Sequence, residues 1–196
     1  MAAGPKAISL AAKIVAGGGI VAMPTDTVYG LCCDPRSDAA VRSVFEAKDR
    51  QAKPVPVLCD SLKVAEKLVK FNEVSSKLAG RYWPGALTIV APLRKGTGLS
   101  ALLDQGSGFL GVRVPGSEVC VELAAKVGGA ITGTSANLSG QPSCRTAAQV
   151  LAALDGRIQL IVDGGKLSSK ESTVVKVVDD GVEVLREGSV RIQEGN

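Results

Sequence analysis

The chain has 196 residues, 45% hydrophobic and 21% charged, with 23 Lys and Arg against 19 Asp and Glu for a net charge of +4. Those proportions belong to a soluble globular chain long enough to bury a core. Histidine is absent, which excludes a Ser-His-Asp triad, histidine-ligated zinc or haem and an imidazole general base, and aromatics at 3% are too few for stacking platforms on single-stranded nucleic acid.

Helical and extended patterns alternate along the chain. Residues 6–16 place Ile8, Ala11, Ala12 and Val15 at helical spacing, and Gly17-Gly18-Gly19 ends that helix. Ile20 to Met23 reads as a short apolar strand stopped by Pro24. Ser37 is a cap for a helix carrying Val41, Val44, Phe45 and Lys48. A strand follows at 55–59, then helices at 61–70 and 73–82 and strands at 87–90 and 110–114. Residues 117–127 form a helix capped by Ser117, with another helix near 146–154. Further strands fall at 130–133, 159–163, 173–178 and 182–186, the last two joined by the hairpin signal Asp179-Asp180-Gly181. The pattern predicts an α/β layer fold in one domain, 1–196, with a mixed parallel and antiparallel sheet and flanking helices.

Cys32, Cys33, Cys59, Cys120 and Cys144 are scattered and contain no CxxC pair, so they read as reduced packing residues rather than a disulfide or zinc framework. Lys6 and Lys13 interrupt any secretory apolar run, and no stretch approaches the ~20 apolar residues of a membrane span. The expected address is cytoplasmic, with no membrane partner.

In such folds the loops at strand ends carry the chemistry. Pro24-Thr25-Asp26-Thr27-Val28-Tyr29-Gly30 gathers hydroxyls, a carboxylate and a phenol after a strand, although a capped turn uses the same residues. Lys48, Arg50 and Lys53 fall within six residues. They suit a polyphosphate, with Lys48 and Arg50 on one side if the chain is extended there; cations favoured at a helix C-terminus are the plainer account. Gly133 to Gly140 offers small hydroxyls, an amide and glycines that let a ligand approach the backbone, or simply a serine-rich turn. Ser172-Thr173 and Arg186 lie at adjacent ends of the last two strands. Arg113 interrupts an apolar strand and needs a carboxylate partner, from the protein or from a ligand. GxxxxGK[ST] does not occur, and Gly96-Thr97-Gly98 lacks the third glycine of GxGxxG.

With PTDTVYGL at 24–31, Lys48 and Arg50 as KxR, Pro84, Gly85 and Thr88 as PGxxT, GVRVP at 111–115, TSANLSG at 134–140, STVV at 172–175 and LREG at 185–188, the chain resembles the YrdC family of threonylcarbamoyl-AMP synthases. The motifs run in family order over about 7–189. The resemblance implies a YrdC-like twisted mixed sheet around a concave basic cleft, in the single-domain form. It implies that L-threonine, bicarbonate and ATP give threonylcarbamoyl-AMP and pyrophosphate, and that a separate tRNA threonylcarbamoyl transferase then modifies the adenosine beside the anticodon. It assigns Thr27, Arg113, Ser135 and Ser172 to L-threonine. Lys48, Arg50, Lys53, Asn137, Arg145 and Arg186 go to ATP, with Lys48 and Arg50 as the catalytic cations. Mg2+ would ride on the triphosphate, with no metal cage in the protein. Where some members carry a threonine-contacting histidine, this chain has about Leu58.

Two other functions fit parts of the sequence. A basic concavity could bind tRNA or double-stranded RNA by shape, which needs no aromatics. A paralogue could bind or hydrolyse ATP, or form a carbamoyl adenylate, without accepting threonine.

Overall fold

The computed structural model describes residues 1–51, 53–179 and 181–192. The expected mixed α/β architecture is present, with the strands divided between two mixed sheets rather than one. The first sheet is built on a hairpin of β1 (Val21–Pro24) and β2 (Tyr29–Cys32), flanked by β7 (Thr134–Ser135) and β8 (Leu160–Ile161) in the order β7-β2-β1-β8. The second contains β3 (Val57–Cys59), β4 (Leu87–Pro92), β5 (Phe109–Arg113), β6 (Ala130–Thr132), β9 (Thr173–Val178) and β10 (Gly181–Arg186), in the order β10-β9-β4-β5-β3-β6. Its pairings alternate: β10 with β9, β4 with β5 and β3 with β6 are antiparallel, while β9 with β4 and β5 with β3 are parallel.

Chain turns at two points differ from the loops expected there. The segment after Pro24 is a hairpin turn, closed where Thr25 Oγ1 donates to Val28 O at 2.7 Å and accepts from Thr27 N at 3.0 Å. The segment after Gly133 begins as strand β7. Gly133 alone carries the chain from β6 in one sheet to β7 in the other. A Cβ there would stand 2.5 Å from Leu58 Cγ, so only glycine passes.

The helices are α1 (Pro5–Ala16), α2 (Asp38–Ala47), α3 (Leu62–Leu68), α4 (Glu73–Tyr82), α5 (Glu118–Lys126) and α6 (Ala147–Leu154). Ser37, Ser61, Asn72 and Thr146 cap α2, α3, α4 and α6 by accepting a backbone N–H. Ser117 does not cap α5 as expected; its hydroxyl donates to Pro24 O at 3.0 Å and so pins the helix start to the end of β1. Ile8, Ala11 and Val15 of α1 and Cys120 and Leu123 of α5 share a core with Val21, Met23 and Ile131, spanning the two sheets. Ala79 of α4 packs on Leu87, Ile89, Val175 and Val177. The five cysteines are free and buried. Among the described residues no helix is long and apolar enough to cross a membrane.

Candidate functional site

The strand period of two creates the site. In β4, Leu87, Ile89 and Ala91 are buried in the core, which turns Thr88 and Val90 to the opposite face. In β5, Leu110 and Val112 face the core and Phe109, Gly111 and Arg113 face away; in β9, Val175 and Val177 alternate with Val174 and Lys176. Register aligns these rows: Thr88 lies opposite Val174, Val90 opposite both Lys176 and Gly111. They floor a cavity of about 530 Å3, walled on the other side by Thr25, Thr27, Val28, Gly30, Gly133, Thr134 and Ser135. That volume suits a small molecule. Gly111 keeps the floor open, since a Cβ there would meet Pro56 Cβ at 3.2 Å and Thr88 Cγ2 at 3.3 Å. The charged side chains on the lining are Arg50, Arg113, Lys176, Arg186 and Glu171.

Arg113 is 4% exposed. Its Nη2 donates to Asp26 Oδ1 at 2.6 Å, its Nε to Gly85 O at 2.8 Å and its Nη1 to Thr27 Oγ1 at 3.3 Å. The partner that the sequence left open is thus a protein carboxylate. Only three of the five guanidinium N–H groups are engaged among the described residues. Leu58, the register partner of Arg113, lines the same wall and gives it an apolar surface.

Lys48 and Arg50 do not point together, because the chain between them is not extended. Helix α2 ends in a Schellman turn: Arg50 N donates to Phe45 O and Asp49 N to Glu46 O, with Asp49 at φ 49°. The turn sends Arg50 into the cavity wall and Lys48 behind it. Lys48 is 2% exposed, and its ammonium donates to Ser135 O, to Asn137 O at 2.8 Å and to Asn137 Oδ1 at 3.1 Å. All three of its donors are therefore spent on the 134–140 loop. Burial, with the nearby Arg50 charge, lowers the Lys48 pKa to about 8. Arg50 donates from Nη1 to Thr134 Oγ1 at 3.2 Å and from Nη2 to Pro54 O at 3.4 Å. Its Nε is buried with no partner among the described residues, and burial lowers its pKa.

On the far wall, Arg186 donates from Nε and Nη2 to Ser172 O at 3.1 and 2.8 Å, and from Nη2 to Ser172 Oγ at 3.1 Å. Ser172 Oγ lies 3.0 Å from Thr88 Oγ1. A register shift between Val184 and Arg186 lets the adjacent Leu185 and Arg186 both face the cavity. Burial lowers the Arg186 pKa. The Glu171 carboxyl is held below its ordinary range, first by a hydrogen bond from Ser143, with Arg186 and Arg145 adding to it.

Of the residues the sequence singled out, the cavity brings together Thr27, Arg50, Arg113, Ser135, Ser172 and Arg186. Lys48 and Asn137 lie behind its wall, where the Asn137 side chain also donates to Gln141 O. Lys53 and Arg145 are exposed and off the lining. The residue reading missed Asp26 as the partner of Arg113, and also Lys176, whose ammonium sits 4.2 Å from the centre of the Phe109 ring. Period-two counting from Ser172 through Val174 was signal enough for Lys176. Among the described residues, no group of three His, Cys, Asp or Glu side chains could hold a metal.

Fold and cavity together define a two-sheet α/β protein whose small-ligand pocket is lined by hydroxyls and arginines. The family model for Sua5, YciO and YrdC, described as telomere recombination, matches residues 13–188, and the chain belongs to that family. It is 36% identical over 190 residues to the threonylcarbamoyl-AMP synthase of Pyrococcus abyssi, covering 95% of this chain and 55% of that protein. It is 38% identical over 186 residues to the Bacillus subtilis threonylcarbamoyl-AMP synthase, covering 93% and 54%. The chain thus spans about half the length of these curated relatives. The crystal structure of Pyrococcus abyssi Sua5 with L-threonine superposes with a TM-score of 0.88 at 36% identity, over 92% of this chain and 54% of that one.

Proposed function

We propose that this chain makes threonylcarbamoyl-AMP from L-threonine, bicarbonate and ATP with release of pyrophosphate, and that residues 1–196 act as one YrdC-like domain. The observation that carries the reading is Arg113 on the cavity wall, with N–H groups to spare beside the hydroxyl of Thr27. It is an arrangement suited to an amino-acid carboxylate, and a relative of 36% identity binds L-threonine.

Arg113 meets the carboxylate, and Thr27, Ser135 and Ser172 surround the rest of the amino acid. The unpartnered Nε of Arg50 supports a phosphate contact there, shared with Arg186. Lys53 and Arg145 reach the triphosphate from the mouth. Lys48 and Asn137 act through the loop they brace. Mg2+ travels on the triphosphate, for the cavity lining offers one carboxylate, Glu171.

The chemistry needs no histidine. The neutral threonine nitrogen bonds to the carbon of bicarbonate, the C–OH bond breaks, and the hydroxide leaves with one amine proton as water, which gives the carbamate. A carbamate oxygen then attacks the α-phosphorus while the α–β bridging bond breaks and pyrophosphate departs. The protein supplies proximity and fixed positive charge. The adenylate serves a separate transferase that modifies tRNA in the cytoplasm.

The test is pyrophosphate release by the purified protein with ATP, Mg2+, bicarbonate and L-threonine, each omitted in turn. Release that requires both threonine and bicarbonate supports the proposal. ATP turnover indifferent to threonine sinks it in favour of the paralogue. Salt-sensitive RNA binding with no nucleotide-dependent chemistry favours the RNA module.

A further inference from the structure

Asp26 has no role in the scheme above, yet it is the only charged group bonded to Arg113 among the described residues. It lies off the cavity lining, with its side chain 17% exposed, so it works on Arg113 and not on a ligand. Three anchors in different directions, Asp26, Gly85 O and Thr27 Oγ1, fix the guanidinium plane. Space for the carboxylate comes from Gly116, where a Cβ would stand 3.2 Å from Asp26 Oδ2 and 3.4 Å from its Cγ. The Ser117 hydroxyl, bound to Pro24 O, holds this turn against the strand that delivers Asp26.

We propose that Asp26 is a positioning residue for amino-acid recognition: it locks Arg113 so that the unused N–H groups face the substrate carboxylate, and Gly116 is its packing partner. The inference rests on the reading that the cavity takes threonine through Arg113. Two physical effects oppose each other at this pair. A carboxylate beside Arg113 weakens the pull on a second carboxylate, while a fixed guanidinium makes a better bidentate partner. If charge dominated, Asp26→Asn would tighten threonine binding; if orientation dominates, as proposed, it weakens it.

The experiment is steady-state kinetics of the full chain, wild type against Asp26→Asn, with threonine and ATP varied separately. The expected result is a rise in KM for L-threonine of at least about tenfold, with KM for ATP within about twofold. L-threonine amide, which lacks the carboxylate, should be used poorly by both proteins with no added penalty in the variant. Gly116→Ala, which only crowds the carboxylate, should raise the threonine KM in the same direction by a smaller factor. It stands in if Asp26→Asn does not fold. An unchanged or lowered threonine KM overturns the proposal, as does an equal rise for ATP. A wild type with no threonine-dependent pyrophosphate release overturns the threonine reading itself, and this inference with it; an active wild type with an indifferent variant overturns this inference alone.

Discussion

Replacing Lys48 with methionine separates two accounts of the KxR motif. The family resemblance makes Lys48 a phosphate contact; in the structure its ammonium is bonded to the 134–140 loop inside the wall, as a brace would be. Hydrogen bonds to a charged donor contribute about 1.5–3 kcal/mol each, so its three bonds amount to about 5–9 kcal/mol. Against this, burial and the Arg50 charge lower its pKa from the ordinary 10.5 to about 8, equivalent to about 3 kcal/mol held against the cation. The balance is about 2–6 kcal/mol in favour of the wild type. For a chain of this size that corresponds to a loss of roughly 5–20 °C in Tm. The assay is thermal unfolding followed by circular dichroism, with ATP and threonine binding measured at a temperature where both proteins are folded. Both ligands should bind less well, because Ser135 and Asn137 lose their anchor together. A Tm unchanged to within a degree or two, with only ATP binding lost, would refute the brace and restore the phosphate contact.

Two further outcomes follow from the same geometry. Gly111→Val should place its branch methyls in the cavity floor, costing about 1–3 kcal/mol of stability while abolishing most ligand binding; full activity in that variant would mean the ligand does not use this cavity. Alkaline pH should destabilise the fold, because burial pushes the thiols of Cys33 and Cys120 up to about 11 and that of Cys59 up to about 12. An unfolded chain releases these protons near the ordinary 9.0 while the folded one retains them, so stability falls as pH rises above 9. Lys48 opposes this over 8–10.5, where the folded amine is already neutral and the unfolded one still charged, but one lysine offsets only part of three thiols. Urea unfolding at pH 8.5 and 10.5 should differ by several kcal/mol, at about 1.4 kcal/mol for each pH unit per group; equal midpoints would contradict the burial of the thiols.

Long periodic elements were legible because their signals are local. Helix α2 carries its apolar spacing and its Ser37 cap within one stretch of chain, and both are found as expected. The β9–β10 hairpin was equally plain. Strands β2 and β7 were not, since Tyr29–Cys32 and Thr134–Ser135 are short and sit inside polar loop motifs, and their pairing with β1 and with each other makes them strands. In the cavity, the motifs named most of the lining, yet three-dimensional partners redistributed their tasks. Arg113 was read as needing a carboxylate, but only folding brings Asp26 to it from 87 residues away. Lys48 and Arg50 diverge because Asp49 adopts a left-handed conformation, which aspartate tolerates and sequence spacing does not announce. Ser117 looked like a cap and serves as a tie between α5 and β1.

The most direct measurement supplies carbon-13 bicarbonate with L-threonine, ATP and Mg2+ to the purified chain and analyses the nucleotide products by mass spectrometry. The account predicts threonylcarbamoyl-AMP carrying the label in its carbamoyl carbon, absent when threonine is left out and strongly reduced for Arg113→Gln. AMP or ADP alone, formed at the same rate without threonine, would contradict it.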